Sequence, residues 1–136
     1  MPDNIQKVTY FICSRPNKPG EGAHLLKQLK EAGVNLYAFH GFPSGRRAQI
    51  DLVPEDATLF KKVAKRLGIE LEETKTGFLV RGKDRVGAIV EMLETLAASD
   101  INITAIDAVV AGAGRFGAIF WVRQQDVTRT AKLLGV

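Results

Sequence analysis

The chain repeats itself. Displaced by 67 residues, residues 18–38 lie on residues 85–105 without a gap. Gly20 meets Gly87, Leu26 meets Leu93, Leu29 meets Leu96, Asn35 meets Asn102 and Ala38 meets Ala105. Average residue usage would give about one or two identities over such a stretch. Conservative pairs agree: Leu25 with Met92, Val34 with Ile101, Leu36 with Ile103. A small further shift in the hairpin sets Ala48–Val53 on Gly117–Val122, pairing Ile50 with Ile119 and Leu52 with Trp121. A fixed internal repeat means one structural unit used twice.

The unit reads in one order. Residues 8–13 have the β-branched and aromatic content of a strand. Asn17-Lys18-Pro19-Gly20 is a turn, and residues 21–32 have helical spacing, with Ala23, Leu26 and Leu29 on one face. Gly33 ends that helix. Residues 34–42 and 48–53 form a hairpin, residues 55–67 a second helix on Leu59, Phe60, Val63 and Leu67, and residues 69–73 a short strand. The second copy repeats this with a strand at 77–81, a helix at 86–98, a hairpin of 101–110 and 116–123, and a helix at 127–134. It stops at Val136, without room for a last strand. The expected fold is α+β: two ferredoxin-like βαββαβ units, residues 1–73 and 74–136, each an antiparallel sheet with both helices on one face.

Bulk properties narrow the function. Among 136 residues, 46% are hydrophobic and 25% charged, an ordinary globular balance. The net charge of +4 is evenly divided: residues 1–73 hold 11 Lys and Arg against 9 Asp and Glu, residues 74–136 hold 8 against 6. A phosphate-tracking surface needs clustering, so nucleic acid is not the expected partner. Lys61, Lys62, Lys65 and Arg66 fall at the spacing of a solvated helix face. Cys13 is the sole cysteine and sits in an apolar run, where packing is expected rather than reactivity. One cysteine and two histidines do not make a typical zinc set. No apolar stretch reaches the roughly 20 residues of a membrane span, and the N-terminus lacks signal-peptide regions. A cytoplasmic location is expected.

No catalytic constellation is visible. His24 and His40 have no Ser or Cys partner in view, and Glu70, Glu72 and Glu73 read as a solvated strand edge. Gly112 and Gly114 lie in a hairpin, not between a strand and a helix, which excludes a dinucleotide motif. The chain is therefore not expected to be an enzyme, and no cofactor is expected.

The informative positions are the two strand-to-helix turns. Glycine there permits close approach of a ligand to the backbone, and the opening N–H groups of the helix attract a carboxylate or phosphate. Asn17 flanks the first turn, and Asn35, opening the next strand, is expected beside it. The two amides together hold the donors and acceptors for an α-amino and an α-carboxyl group. Their other reading is that they only cap or close turns.

The run Asn17-Lys18-Pro19-Gly20, a helix, then Gly33-Val34-Asn35-Leu36 resembles the signature of ACT domains, amino-acid-binding regulatory modules. Copy two has Asp84-Arg85-Val86-Gly87 and Asp100-Ile101-Asn102-Ile103, departing at Val86 for proline and Asp100 for glycine. The resemblance covers about residues 7–134. It implies that Asn17, Lys18, Pro19, Gly20 and Asn35 form an amino-acid site, with Asp84, Gly87 and Asn102 at the matching positions. It further implies sites formed between paired domains, hence a homodimer, and action in trans on a partner enzyme. An Asp at position 84 would repel a ligand carboxylate, so copy one is the better candidate.

Two expectations concern the sheets. Ile119 and Trp121 should face the helices, leaving Phe120 and Val122 outward, with Tyr37 and Phe39 outward in copy one. The missing strand leaves residues 77–81 with an open edge, which a single long strand over 69–81 serving both sheets would relieve. Two other functions remain open. One is an RNA-binding module of the RRM type, because Arg115–Val122 faintly echoes that family's base-stacking third strand. The other is a protein adaptor with a degenerate pocket.

Overall fold

The computed structural model describes residues 3–136. Its elements are β1 (Asn4–Pro16), α1 (Glu21–Glu31), β2 (Leu36–Ser44), β3 (Arg47–Pro54), α2 (Ala57–Leu67), β4 (Glu73–Lys83), α3 (Val90–Ala98), β5 (Ile103–Gly112), β6 (Arg115–Val122) and α4 (Val127–Leu134), with a 3-10 turn at Gln124–Asp126. The helices follow from amphipathic spacing. In α2, Phe60, Val63 and Ala64 are buried while Lys61, Lys62, Lys65 and Arg66 stay in solvent. The Asp56 carboxylate caps that helix by accepting from the Leu59 N–H at 3.0 Å.

The chain divides into two compact units, and the division is not the one at residue 73. One unit is Thr9–Lys75; the other joins residues 3–8 to Thr76–Val136. β1 and β4 each contribute to both.

In Thr9–Lys75 the strand order is β2-β3-β1-β4, with all pairings on β3 antiparallel. Phe11 lies opposite Leu52 and Cys13 opposite Ile50, and opposed residues share a face. That face meets Leu25 and Leu29 of α1 and Phe60 and Val63 of α2 in one core. Phe11 and Phe60 pack at 4.8 Å between ring centroids. The deep positions of α1 are Leu25 and Leu29, whereas Leu26 is partly exposed. The Glu72 N–H donates to the Ile12 carbonyl at 2.8 Å, bringing in the chain that leads to β4 as the last strand.

In the other unit the order is β1-β4-β6-β5. Phe78, Val80, Phe116, Ala118, Phe120 and Val122 from the strands meet Met92 and Leu96 of α3 and Ala131 of α4, and Ile5 packs against this core. Among the described residues no strand follows α4. The opening residues of β1 take that place. β1 is 13 residues long, against a usual strand length of about 5–6, because it serves two units. β4 does the same, as expected for the segment around residues 69–81. The Asp3 carboxylate holds the opening segment down through both Arg85 amino groups at 3.2 Å. Gly82 makes this possible: a Cβ there would collide with the Asp3 carboxylate and the Phe116 ring.

The facing of β6 differs from the expectation. Phe120 and Val122 point to the helices with Ala118, and Ile119 and Trp121 lie on the opposite face, also buried. Phe78 lies opposite Phe120 as Phe11 lies opposite Leu52, so the true displacement in β6 is 68, not 69. A slip of one residue inverts every side chain in a strand. Phe39 is corrected likewise. It lies opposite Leu52, on the helix face, and Tyr37 falls at an irregularity between Leu36 and Ala38. Phe120 is fully buried and stacks on Phe78 at 5.1 Å. Phe120→Ala is expected to destabilise its unit by about 3–5 kcal/mol, read from denaturant unfolding. A residue on a solvated face would cost a small fraction of that.

Candidate functional site

β1 ends at Pro16, and the chain must reverse into α1 within four residues. Gly20 permits this with φ 91°, a left-handed conformation that side chains disfavour. It opens α1 with no side chain to cap it, and its carbonyl accepts the His24 N–H at 2.9 Å. The first N–H groups of any helix have no intrahelical partner, so this turn presents donors. Facing it across the unit are the far end of β2 and the start of β3. Between them lies an open cleft of about 270 Å³. Asn17, Lys18 and Glu21 form its polar rim, and Phe39, Phe42, Pro43, Ala48 and Ile50 its apolar wall. Gly22 lies at the base, where an added Cβ would stand 3.8 Å from the Phe39 ring.

The rim is charged in both senses. Glu21 sits 3.3 Å from the Arg15 guanidinium and 3.8 Å from the Lys18 ammonium. The Lys18 contact is exposed and contributes little. Arg15 is more enclosed, and among the described residues its Nε finds no hydrogen-bond acceptor.

Of the sequence-predicted residues, Asn17 and Lys18 line the cleft, and Pro19 and Gly20 shape the turn. Asn35 does not join them. Its amide donates to the Glu55 carboxylate at 2.9 Å, and its carbonyl accepts the Glu55 N–H at 2.9 Å. The expectation that Asn35 stands beside the turn overlooked α1, whose 11 residues carry the chain back by about 16 Å. β2 therefore starts at the far end and reaches the cleft only from Phe39 to Pro43. Glu21, Gly22, Phe39 and Ile50 were not foreseen. The strand order brings them in, and a hairpin whose end closes on the first turn was the available signal.

The second copy forms a smaller cleft of about 170 Å³ at the matching place. Asp84, Ala88 and Ile89 stand where Asn17, Glu21 and Gly22 stand, with Ala108, Val109 and Val110 opposite. Gly87 keeps the left-handed turn at φ 68°. α3, expected from residue 86, begins at Val90. Without the proline, the chain first passes through short turns closed by the Ala88 N–H to Arg85 and the Val90 N–H to Gly87. Arg85 is committed: besides Asp3, it donates to the carbonyls of Lys83 at 2.8 Å and Ala88 at 3.0 Å. Asn102, like Asn35, lies outside the cleft, and Arg123 occupies the place of Glu55.

No family model and no curated protein matches the chain in sequence. Solved structures match in fold. The protein BT0572 from Bacteroides thetaiotaomicron superposes with a TM-score of 0.76 at 14% identity, over 99% of this chain and 90% of that one. The ligand-free regulatory subunit of aspartate kinase from Thermus thermophilus gives 0.64 at 15%, over 99% and 95%. That from Thermus flavus gives 0.63 at 14%, over 99% and 95%. The fold that the ACT resemblance implies is the fold of this chain.

Identities this low carry fold and nothing more, so the chain's own side chains must supply the chemistry. Among the described residues, no cluster of three or more His, Cys, Asp or Glu is placed to hold a metal ion, and no helix is long and apolar enough to cross a membrane. His40 rests against the Phe42 ring at 5.1 Å. Cys13 is in the core, and burial pushes its thiol up, partly offset by Arg15. A nucleophilic thiol needs the opposite shift. Cys13 is therefore expected to resist an aromatic disulfide reagent at pH 8 in the native protein and to react promptly once denaturant unfolds it.

Proposed function

We propose that this chain is a non-catalytic regulatory module that binds an amino acid in the cleft at the β1–α1 turn of Thr9–Lys75 and acts on a partner enzyme in trans. The observation that carries the reading is the cleft itself. It brings Asn17, Lys18 and the uncapped opening of α1 to one mouth. Those groups suit an α-carboxylate: the opening N–H groups donate to it, and the Lys18 ammonium balances its charge. Glu21 and the Asn17 carbonyl oxygen suit the α-ammonium. The structural likeness to a regulatory subunit of aspartate kinase supports a regulatory role of the same kind.

In this reading Pro19 and Gly20 hold the turn in shape. Asp84, Gly87 and Asn102 mark the matching position in the second copy, the weaker candidate because Arg85 is already engaged. Asn35 and Asn102 reach a ligand only from a second copy of the chain. A homodimer fits the edge strands. β5 is exposed through most of its length, with Ile106, Val109 and Val110 at the surface, and unpaired apolar edges are normally covered.

The RNA-binding alternative needs open aromatics on the third strand of a unit. Phe116, Phe120 and Trp121 of β6 are all buried, which removes its main support. A protein adaptor would use the β5 edge and leave the cleft empty.

Isothermal titration with each of the twenty amino acids tests the proposal. One or more should bind, and Asn17→Ala should weaken that binding about tenfold, the worth of one hydrogen bond to a charged group. If none binds, with or without a partner enzyme, the reading falls. Sedimentation equilibrium at micromolar concentration is expected to give twice the chain mass, and a monomer there would remove the dimer.

A further inference from the structure

Resting on the amino-acid reading above, we infer that the cleft of Thr9–Lys75 selects an amino acid with an apolar side chain, and that Gly22 is the residue that admits it.

The cleft is divided. Asn17, Lys18 and Glu21, the polar side chains that line it, lie on the turn and the first residue of α1. The opposite wall is carbon: Phe39, Pro43, Ala48 and Ile50. If the rim takes the α-ammonium and α-carboxylate, the side chain of the ligand is directed against that wall. A charged or amide side chain there would lose water without gaining a partner, a cost of several kcal/mol in general terms. Apart from Lys18 on the rim, the Arg15 guanidinium is already 3.3 Å from Glu21. Arg47, next along β3, donates to the Ser14 hydroxyl at 2.6 Å. Both guanidiniums are thus already engaged by side chains of the protein.

Gly22 sets the room. It lies in the first turn of α1, where glycine weakens a helix and no left-handed conformation calls for it; positive φ is found at Gly20 instead. Its value is space. A Cβ would reach ordinary contact with Phe39, and anything longer would enter the cleft. The second copy performs that substitution: Ile89 occupies the position, lines the matching cleft, and leaves 170 Å³ in place of 270 Å³. Its rim has also lost the acid, because Ala88 stands where Glu21 stands. The chain therefore carries one site for such a ligand, not two.

Titration of the full chain with leucine, methionine and phenylalanine, against lysine, aspartate and serine, tests this, with Gly22→Ala and Gly22→Ile as variants. The expected result is one bound ligand per chain, an apolar amino acid bound at least tenfold more tightly than the three polar ones, a partial loss in Gly22→Ala and no detectable binding in Gly22→Ile. Circular dichroism checks that each variant is folded. Should the isoleucine variant unfold, the alanine variant decides. Equal or tighter binding of lysine, aspartate or serine overturns the inference while leaving an amino-acid site in place. So does wild-type affinity in a folded Gly22 variant, or two ligands per chain. Silence from every amino acid overturns both this inference and the function it rests on.

Discussion

Four strands in the order of a ferredoxin-like sheet require a strand after the second helix, which β4 supplies in the first repeat and none of the described residues after α4 supplies in the second. Backbone pairing along β1 and β4 meets that requirement. Residues 4–8 complete the unit that holds Phe78 and Phe120, and the opening of β4 completes the unit that holds Phe11 and Leu52. Buried sheet edges are costly because each unpaired N–H or carbonyl loses water without replacement. The length of β1, the tie from Asp3 to Arg85 and the bare Cα of Gly82 all follow from closing that edge. With the edges closed, each core is a sheet face against two helices, and the turn after β1 is held at a fixed place above the start of β3.

Much of this was legible because the repeat speaks twice. The two copies agree on Gly20 and Gly87 and on the buried pair Leu29 and Leu96. The unit order came from that agreement and the inward face of α2 from its own spacing, whereas α1 buries Leu25 and Leu29 and leaves Ala23 and Leu26 exposed. The error in β6 has a local cause. β5 carries an extra residue near Ala111, where its register against β6 slips between Val110 and Gly112. That bulge adds one to the displacement of the hairpin, from 67 to 68. A bulge leaves no mark in a single sequence, and aligning by hydrophobic similarity placed one residue too many. The buried outer positions Ile119 and Trp121 made the wrong register look acceptable, since both faces of β6 are apolar.

The candidate site was half legible. Asn17 and the left-handed glycine announce themselves, because their residue types answer a local backbone need. The wall does not. Phe39 and Ile50 look like any strand hydrophobes until pairing places them opposite the turn. Asn35 shows the converse. Its position in a motif suggested ligand contact, and its geometry gives it to Glu55. A motif fixes residue type, while the path of the intervening helix fixes distance.

The closure by residues 4–8 also sets an order of events during synthesis. Asp3 and Arg85 are 82 positions apart, so residues 4–8 have no completed unit to join until the β5–β6 hairpin and α4 have been made. Thr9–Lys75 is contiguous and finds every one of its strands within a single stretch. Long-range pairing is slow because loop closure precedes any return from contacts. Residues 4–8 thus wait unpaired after Thr9–Lys75 has been made, and of the two units the contiguous one, with its cleft, matures first.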